Sequence, residues 1–207
     1  MNLGRKEDTF KSIISYSTPA LGRKLYAEKN YSLDHKWNQL DYQNGDLNTS
    51  IIKTNKGRTV MVQWDETSPR PYTRHNLIQG TKGTLAGFPT RVAIEGGFEG
   101  ASKDHHSWIQ VKDLEIIYKK YDHPLYKKLN SKTKQSGHGG MDGMMVYRII
   151  ECLRNGEPLD QNIYEGCAWS SLIELTSNSV NQGGVPQEFP DFTRGNWVST
   201  KPFNIKS

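Results

Sequence analysis

Residues 49–64 have the sequence TSIIKTNKGRTVMVQW, in which two runs of β-branched and apolar side chains flank a short polar connection. The runs over residues 49–54 and 59–64 predict strands, because β-branched side chains favour extended backbone. The connecting segment Asn55-Lys56-Gly57 is typical of a tight turn. We therefore expect these residues to form an antiparallel β-hairpin.

Further strands are predicted on both sides of this hairpin. Upstream, residues 12–17 predict a strand, which Pro19 separates from a short helical pattern over residues 20–29. Downstream, strand candidates follow at residues 74–79, 84–86, 91–95 and 108–111, the last with an alternative extension through residues 114–118. Strands therefore dominate the first half of the chain.

The last third of the chain has helical periodicity. Apolar side chains recur at helical spacing, at Met141, Met144, Met145, Ile149, Cys152 and Leu153. Asp160 is predicted to cap a second helix, which carries Ile163, Trp169, Ile173 and Val180. Strands followed by helices indicate an α+β fold, with an open-faced, mostly antiparallel β-sheet and helices on one face. A length of 207 residues suits a single domain.

Composition argues against several classes of protein. The net charge is +5, and the densest basic cluster is predicted to be a solvated surface of helix and loop, formed by Lys119, Lys120, Lys127, Lys128, Lys132 and Lys134. We therefore do not expect nucleic acid as a partner. No stretch approaches the roughly 18 apolar residues of a membrane span, so no membrane association is predicted either. Two cysteines, Cys152 and Cys167, suffice for neither a disulfide framework nor a zinc site, and no metal site is predicted.

Common catalytic and cofactor-binding motifs are missing from the sequence. It contains no G-x-G-x-x-G between a strand and a helix, no phosphate-binding P-loop, no G-x-S-x-G and no H-E-x-x-H. We therefore expect no cofactor to bind these residues, and catalysis by any of those schemes is unsupported.

The segment Gly137-His138-Gly139-Gly140-Met141-Asp142 is the first candidate site. Its glycines let the backbone approach a ligand closely, and His138 could donate a hydrogen bond to a sugar hydroxyl or a phosphate. Asp142 is placed to cap the methionine-rich helix. The alternative is a helix-entry turn with a surface histidine.

A second candidate site is the loop over residues 64–74, with the sequence WDETSPRPYTR. It combines aromatic rings with acids and arginines, a set of side chains suited to carbohydrate. Asp65 and Glu66 are unlikely partners across one glycosidic bond, because adjacent residues of an extended chain point to opposite faces. The alternative is a polar connection stiffened by Pro69 and Pro71.

Several segments, in this order along the chain, resemble family 109 glycoside hydrolases, which belong to the glucose-fructose oxidoreductase and inositol dehydrogenase superfamily. The segments are residues 46–54, 64–74, 79–84, 138–142 and 190–197. The resemblance implies a longer protein whose amino-terminal Rossmann domain holds NAD and is missing from this chain. Residues 1–207 would then be a single carboxy-terminal domain for substrate binding and oligomerisation.

The activity that this resemblance implies is that of an NAD-dependent α-N-acetylgalactosaminidase, which oxidises the sugar at C3, eliminates the aglycone, adds water and returns the hydride. Tyr72 resembles a substrate-contacting tyrosine of the family, and His138 is the second substrate-binding candidate. The catalytic residues are expected in the missing amino-terminal half. Gly143 departs from the phenylalanine common in the family, which predicts a gap in the packing.

The resemblance also implies a carbohydrate substrate, and a homo-oligomer formed through the open sheet face. Two other functions stay open from the sequence. One is a non-catalytic oligomerisation or carbohydrate-binding module, and the other is a related sugar oxidoreductase.

Overall fold

A computed structural model describes residues 6–97 and 106–203. Its strands are β1 (Phe10–Ser17), β2 (Leu47–Thr54), β3 (Thr59–Asp65), β4 (Asn76–Gly80), β5 (Gly83–Gly87), β6 (Arg91–Ile94) and β7 (Gln187–Glu188). Its helices are α1 (Gly22–Asn30), α2 (Leu114–Tyr121), α3 (Pro124–Thr133), α4 (Met141–Asn155) and α5 (Ile163–Asn181). The α+β class predicted from the sequence is confirmed. The strands lie in two open antiparallel sheets, one in each of two compact units.

Unit 1 is formed by the described residues of Met1–Pro69 and Asn155–Lys206. Its sheet has the strand order β3-β2-β1-β7, and every neighbouring pair is antiparallel. The predicted hairpin is confirmed as β2 and β3, with Ile51 opposite Met61. Helix α5 packs against β1, where the Ser179 hydroxyl accepts a hydrogen bond of 2.9 Å from the backbone N–H of Ser15.

The two faces of this sheet differ in burial. Side chains on one face are buried on β1 and β2, namely Ile13, Ser15, Ser50, Ile52 and Thr54. On the other face Tyr16, Ile51 and Met61 are exposed. Because successive strand residues alternate between faces, the register of the hairpin brings these apolar side chains onto one open surface.

The start of α5 is set by a capping box. The Asn162 side chain accepts a hydrogen bond of 2.9 Å from the backbone N–H of Glu165, and the Glu165 carboxylate accepts one of 3.0 Å from the backbone N–H of Asn162. These two bonds satisfy two N–H groups that a helix end leaves free. The prediction that Asp160 caps this helix was therefore wrong by two residues.

Unit 2 is formed by the described residues of Arg70–Arg154, and its sheet has the order β4-β5-β6. The strand predicted at residues 108–111 and its extension through 114–118 were wrong, because this segment forms a 3₁₀ turn followed by α2. Leu114 and Ile117, three positions apart, are both buried against Val92. Helical spacing brings them to one face, so burial outweighed the strand preference of the isoleucines.

Helices α2 and α3 carry five lysines of the cluster and Lys134 directly follows α3; all six side chains are exposed, as predicted. Cys152 is buried within α4 and Cys167 is half-buried within α5. Across the described parts of the chain, no helix combines the length and apolar character that crossing a bilayer requires.

Candidate functional site

Tyr72 lies on the connection between β3 and β4 and is 75% exposed. Its hydroxyl oxygen accepts a hydrogen bond of 2.8 Å from Nε of Arg74. Its ring centroid is 6.0 Å from that of Phe88, with the two ring planes tilted by 48°. Tyr72 is thus held by a charged donor and an aromatic neighbour while most of its surface faces outward. Because the oxygen accepts from Arg74, the phenolic hydrogen can be donated to a ligand.

The same connection holds a second contact of an arginine side chain, between Arg70 and His75. Nη1 of Arg70 lies 2.7 Å from Nε2 of His75, and the hydroxyl of Thr73 accepts a hydrogen bond of 3.1 Å from the backbone N–H of His75. The backbone of this segment is restricted by these contacts and by Pro69 and Pro71, which fix φ on either side of Arg70. The predicted loop around Tyr72 is therefore an irregular segment rich in hydrogen-bonding groups.

His138 lies on the glycine-rich entry to α4 and its side chain is 73% exposed. Its Nδ1 is 3.0 Å and 2.9 Å from the two carboxylate oxygens of Asp142. Gly137 adopts a φ of 80°, and a Cβ on it would come within 2.5 Å of Oδ2 of Asp142. Only glycine therefore leaves room for the Asp142 carboxylate beside the histidine.

This contact decides how His138 can bind a ligand. A carboxylate has no hydrogen to donate, so Nδ1–H of His138 donates to Asp142, and the neutral ring presents the lone pair of Nε2 outward. In that form His138 accepts a hydrogen bond from a sugar hydroxyl, and it donates only when it is protonated. Nε2 of His138 therefore accepts a hydrogen bond from a ligand when the ring is neutral, and donates one, as the sequence predicted, when the ring is protonated.

The first turn of α4 is held by Ser136, while the Asp142 carboxylate pairs with His138. The hydroxyl of Ser136 accepts a hydrogen bond of 3.1 Å from the backbone N–H of Gly143. A Cβ at Gly143 would lie 2.2 Å from that hydroxyl oxygen. The gap predicted at Gly143 is thus filled by Ser136, and the prediction of Asp142 as the helix cap was wrong.

Unit 1 contains a cavity of about 450 Å³ that the sequence did not reveal. Its lining comes from α1, from the segment that follows that helix and from the residues after β3, namely Gly22, Arg23, Tyr26, Ala27, Trp37, Leu40, Tyr42, Glu66 and Thr67. Glu66 and Thr67 belong to the candidate loop of residues 64–74, but the other lining residues gave no recognisable motif. They converge only through the fold of α1 and the segment after it.

Hydrogen bonds fix the walls of this cavity. The Asp46 carboxylate accepts bonds of 2.9 Å and 3.0 Å from the backbone N–H of Gly22, so the pKa of Asp46 is lowered, first by Gly22 and then by the hydroxyl of Thr67. The guanidinium of Arg23 forms an ion pair with the Glu66 carboxylate. One cation and one anion therefore lie together in a cavity whose other walls include three aromatic rings.

The described residues contain no dinucleotide-binding unit of the Rossmann type. Both sheets are antiparallel throughout the described part of the chain, whereas a dinucleotide fold needs a parallel strand-turn-helix unit that cradles the pyrophosphate. Within residues 6–97 and 106–203, no group of three or more His, Cys, Asp or Glu side chains is placed to hold a metal ion.

The fold is similar to that of an oxidoreductase domain protein of known structure. A crystal structure of an oxidoreductase domain protein from Kribbella flavida superposes with a TM-score of 0.54 at 12% sequence identity, over 89% of this chain and 47% of that one. At this identity the likeness is one of fold alone.

Sequence comparison then identifies the family. Residues 1–199 match the family described as "Glycosyl hydrolase 109, C-terminal domain". The chain is 62% identical over 207 residues to glycosyl hydrolase family 109 protein 1 of Akkermansia muciniphila, covering 99% of this chain and 42% of that protein. It is 53% identical over 206 residues to the family 109 protein of Shewanella pealeana, with 99% and 44% covered. The chain belongs to glycosyl hydrolase family 109, and it spans less than half the length of these curated relatives.

Proposed function

We propose that this chain forms the substrate side of a glycosidase that releases terminal α-linked N-acetylgalactosamine. The observation that carries the proposal is that unit 2 presents both predicted substrate-binding side chains, Tyr72 and His138, exposed and each oriented by one charged neighbour. Membership of family 109 supports the same reaction class.

In this proposal the two side chains bind hydroxyl or amide groups of the sugar in complementary ways. Tyr72 donates its phenolic hydrogen to a substrate oxygen, and Nε2 of neutral His138 accepts from a substrate hydroxyl. Asp142 keeps the imidazole in the tautomer that this contact requires. Fixed donors and acceptors of this kind select one stereochemical arrangement of hydroxyls.

The hydride chemistry implied for the family needs NAD, for which the described residues provide no pyrophosphate cradle. The proposal therefore assigns to this chain substrate binding only, and we assign no hydride transfer to any of its residues. NAD would bind to the part of the longer relatives that lies outside the region they share with this chain.

A chimaera provides the test, because this chain matches a relative at 62% identity. Residues 1–207 would replace the matching region of the Akkermansia muciniphila relative, and release of p-nitrophenol from its α-N-acetylgalactosaminide would be measured. We expect turnover, and we expect His138→Gln and Asp142→Asn each to lower kcat/KM by roughly 10- to 100-fold. His123→Asn is the matched control, because His123 is exposed and its replacement keeps an acceptor for the N–H of Leu125.

Two results would contradict the proposal. One is a chimaera that folds and binds NAD but releases no aglycone from any α-N-acetylgalactosaminide. The other is reduction of NAD by free sugars without aglycone release, which would favour the alternative of a sugar oxidoreductase.

We also propose that the chain forms a homo-oligomer through the open face of the sheet in unit 1. Tyr16, Ile51 and Met61 place exposed apolar side chains on that face, beside the polar Lys53 and Gln63, and exposed apolar side chains are typical of an association surface. Light scattering of the 207-residue chain should show a dimer or tetramer, and Met61→Glu should convert it to a monomer. Val62→Glu is the matched control, because Val62 is also exposed but lies on the opposite face of β3. A wild-type monomer at micromolar concentration would exclude this assembly.

A further inference from the structure

Neither Tyr72 nor His138 lines the cavity of unit 1. We propose that this cavity is a saccharide-binding site, in which the aromatic walls stack on a neutral sugar ring and the Arg23–Glu66 pair hydrogen-bonds to its hydroxyls. The site goes beyond the proposed glycosidase function and does not depend on it.

Size and wall chemistry set the first limits on the ligand. A volume of about 450 Å³ lies at the small end of the range for ligand pockets. Tyr26, Trp37 and Tyr42 provide the rings, which offer flat apolar surfaces together with a polar group at the edge. Such walls favour a ligand with a flat C–H face and polar substituents around it.

Charge excludes the main alternatives. Arg23 and Glu66 are the lining residues with formal charge, and their charges are opposite and paired. A phosphate or carboxylate ligand would gain from Arg23 but would be repelled by Glu66. A purely apolar ligand would remove the ion pair from water with no hydrogen bonds in return. A neutral ring with several hydroxyls satisfies both side chains, because guanidinium donates and carboxylate accepts.

The walls are held in place before any ligand binds. The Trp37 ring lies edge-on to Tyr31, with centroids 4.7 Å apart, and Tyr31 stacks on His35 at 4.3 Å. The Tyr42 hydroxyl donates a hydrogen bond of 3.0 Å to the backbone carbonyl of Trp37. The Asn38 amide donates to the carbonyl of Ala27, which ties this segment to α1. A prepared site of this kind loses little conformational entropy on binding.

Binding of N-acetylgalactosamine to the 207-residue chain would test the site, measured by saturation-transfer NMR and by isothermal titration. We expect a dissociation constant on the order of 1 mM, as for a small ligand in a partly open site. Trp37→Ala should weaken binding at least about tenfold, because it removes the largest ring. Trp37→Phe, which keeps a ring beside Tyr31, should weaken it less. Glu66→Gln should weaken binding severalfold.

Matched controls separate this site from the proposed glycosidase site. Trp64→Ala removes another exposed tryptophan of unit 1 that does not line the cavity, and it should leave the affinity unchanged. Mannitol, a neutral polyol without a ring, should bind far more weakly than the sugar.

Three results would overturn the inference. These are the absence of saturable sugar binding, tighter binding of inorganic phosphate than of sugar, and sugar binding that survives Trp37→Ala but is lost in Tyr72→Phe or His138→Gln. The last result would place the sugar at the proposed glycosidase site instead. An inactive chimaera would contradict the glycosidase proposal without affecting this measurement.

Discussion

Asp8→Asn should destabilise unit 1, because the Asp8 carboxylate joins the start of β1 to the turn between β2 and β3. The Asp8 side chain is 0% exposed. Its Oδ1 accepts hydrogen bonds of 2.9 Å from the backbone N–H of Thr9 and 3.1 Å from that of Lys56. Its Oδ2 forms an ion pair with the guanidinium of Arg58. Burial opposes ionisation, but the hydrogen bonds from Thr54, Arg58, Lys56 and Thr9 outweigh it and hold the pKa of Asp8 below its ordinary value.

The size of the effect follows from the individual contacts. Asparagine keeps one acceptor oxygen, so the bonds from Thr9 and Lys56 can persist. The charge-assisted bond to Arg58 is lost, and such bonds contribute about 1.5–3 kcal/mol when buried. The Arg58 side chain is 59% exposed, which weakens the ion pair and so reduces the loss. The side-chain N–H₂ of the new asparagine would face the guanidinium of Arg58, which is also a donor, and this adds to the loss. We expect unfolding free energy to fall by about 2–3 kcal/mol at pH 7, and Tm by about 4–12 °C.

Urea unfolding followed by circular dichroism at several pH values would measure this loss. Because the folded pKa of Asp8 is lowered, its contribution is present above the unfolded pKa, near 3.8, and is lost as pH falls through the folded value. The difference between wild type and Asp8→Asn should therefore be constant from pH 7 to pH 5 and should narrow below about pH 4. Glu174→Gln, an equal charge change at an exposed position of α5, should shift stability by less than about 0.5 kcal/mol. A loss that stays the same at pH 7 and pH 3 would refute the reasoning.

Further predictions concern the predicted site, two helix starts and the cofactor. In a full-length relative with the same loop, Tyr72→Phe should lower kcat/KM by a factor equivalent to about 1–3 kcal/mol of transition-state free energy, because a donor to substrate is lost. Tm should change little. A large fall in Tm with unchanged kinetics would assign Tyr72 to packing. Asn162→Ala removes half of the capping box of α5 and should cost about 1 kcal/mol in urea unfolding, whereas Asn162→Ser should restore most of it. Gly143→Ala should destabilise the chain despite the higher helix propensity of alanine, because its Cβ would meet the Ser136 hydroxyl; a gain in Tm would contradict that contact. Isothermal titration of the 207-residue chain with NAD should show no heat of binding, whereas a full-length relative, titrated as the positive control, should bind NAD.

Local sequence determined most of the secondary structure. The hairpin of β2 and β3, helix α4 and helix α5 each follow from patterns within one segment, because strand and helix periods are set by neighbouring residues. The positions of Tyr72 in a loop and of His138 at the entry to a helix also followed from neighbouring prolines and glycines, which disfavour long strands and helices locally. These features need no knowledge of distant contacts.

Features that depend on long-range contacts were decided by the tertiary structure alone. Residues 114–121 have a strand-like composition but form α2, because burial of Leu114 and Ile117 beside Val92 requires helical spacing. Asp8 and Arg58 are 50 positions apart, and Arg23 and Glu66 are 43 apart, so no local pattern predicts either pair. The cavity of unit 1 depends on the second pair. The residues that line the cavity share no sequence motif, because folding brings them together from separate segments. Sequence periodicity reports only on neighbours along the chain.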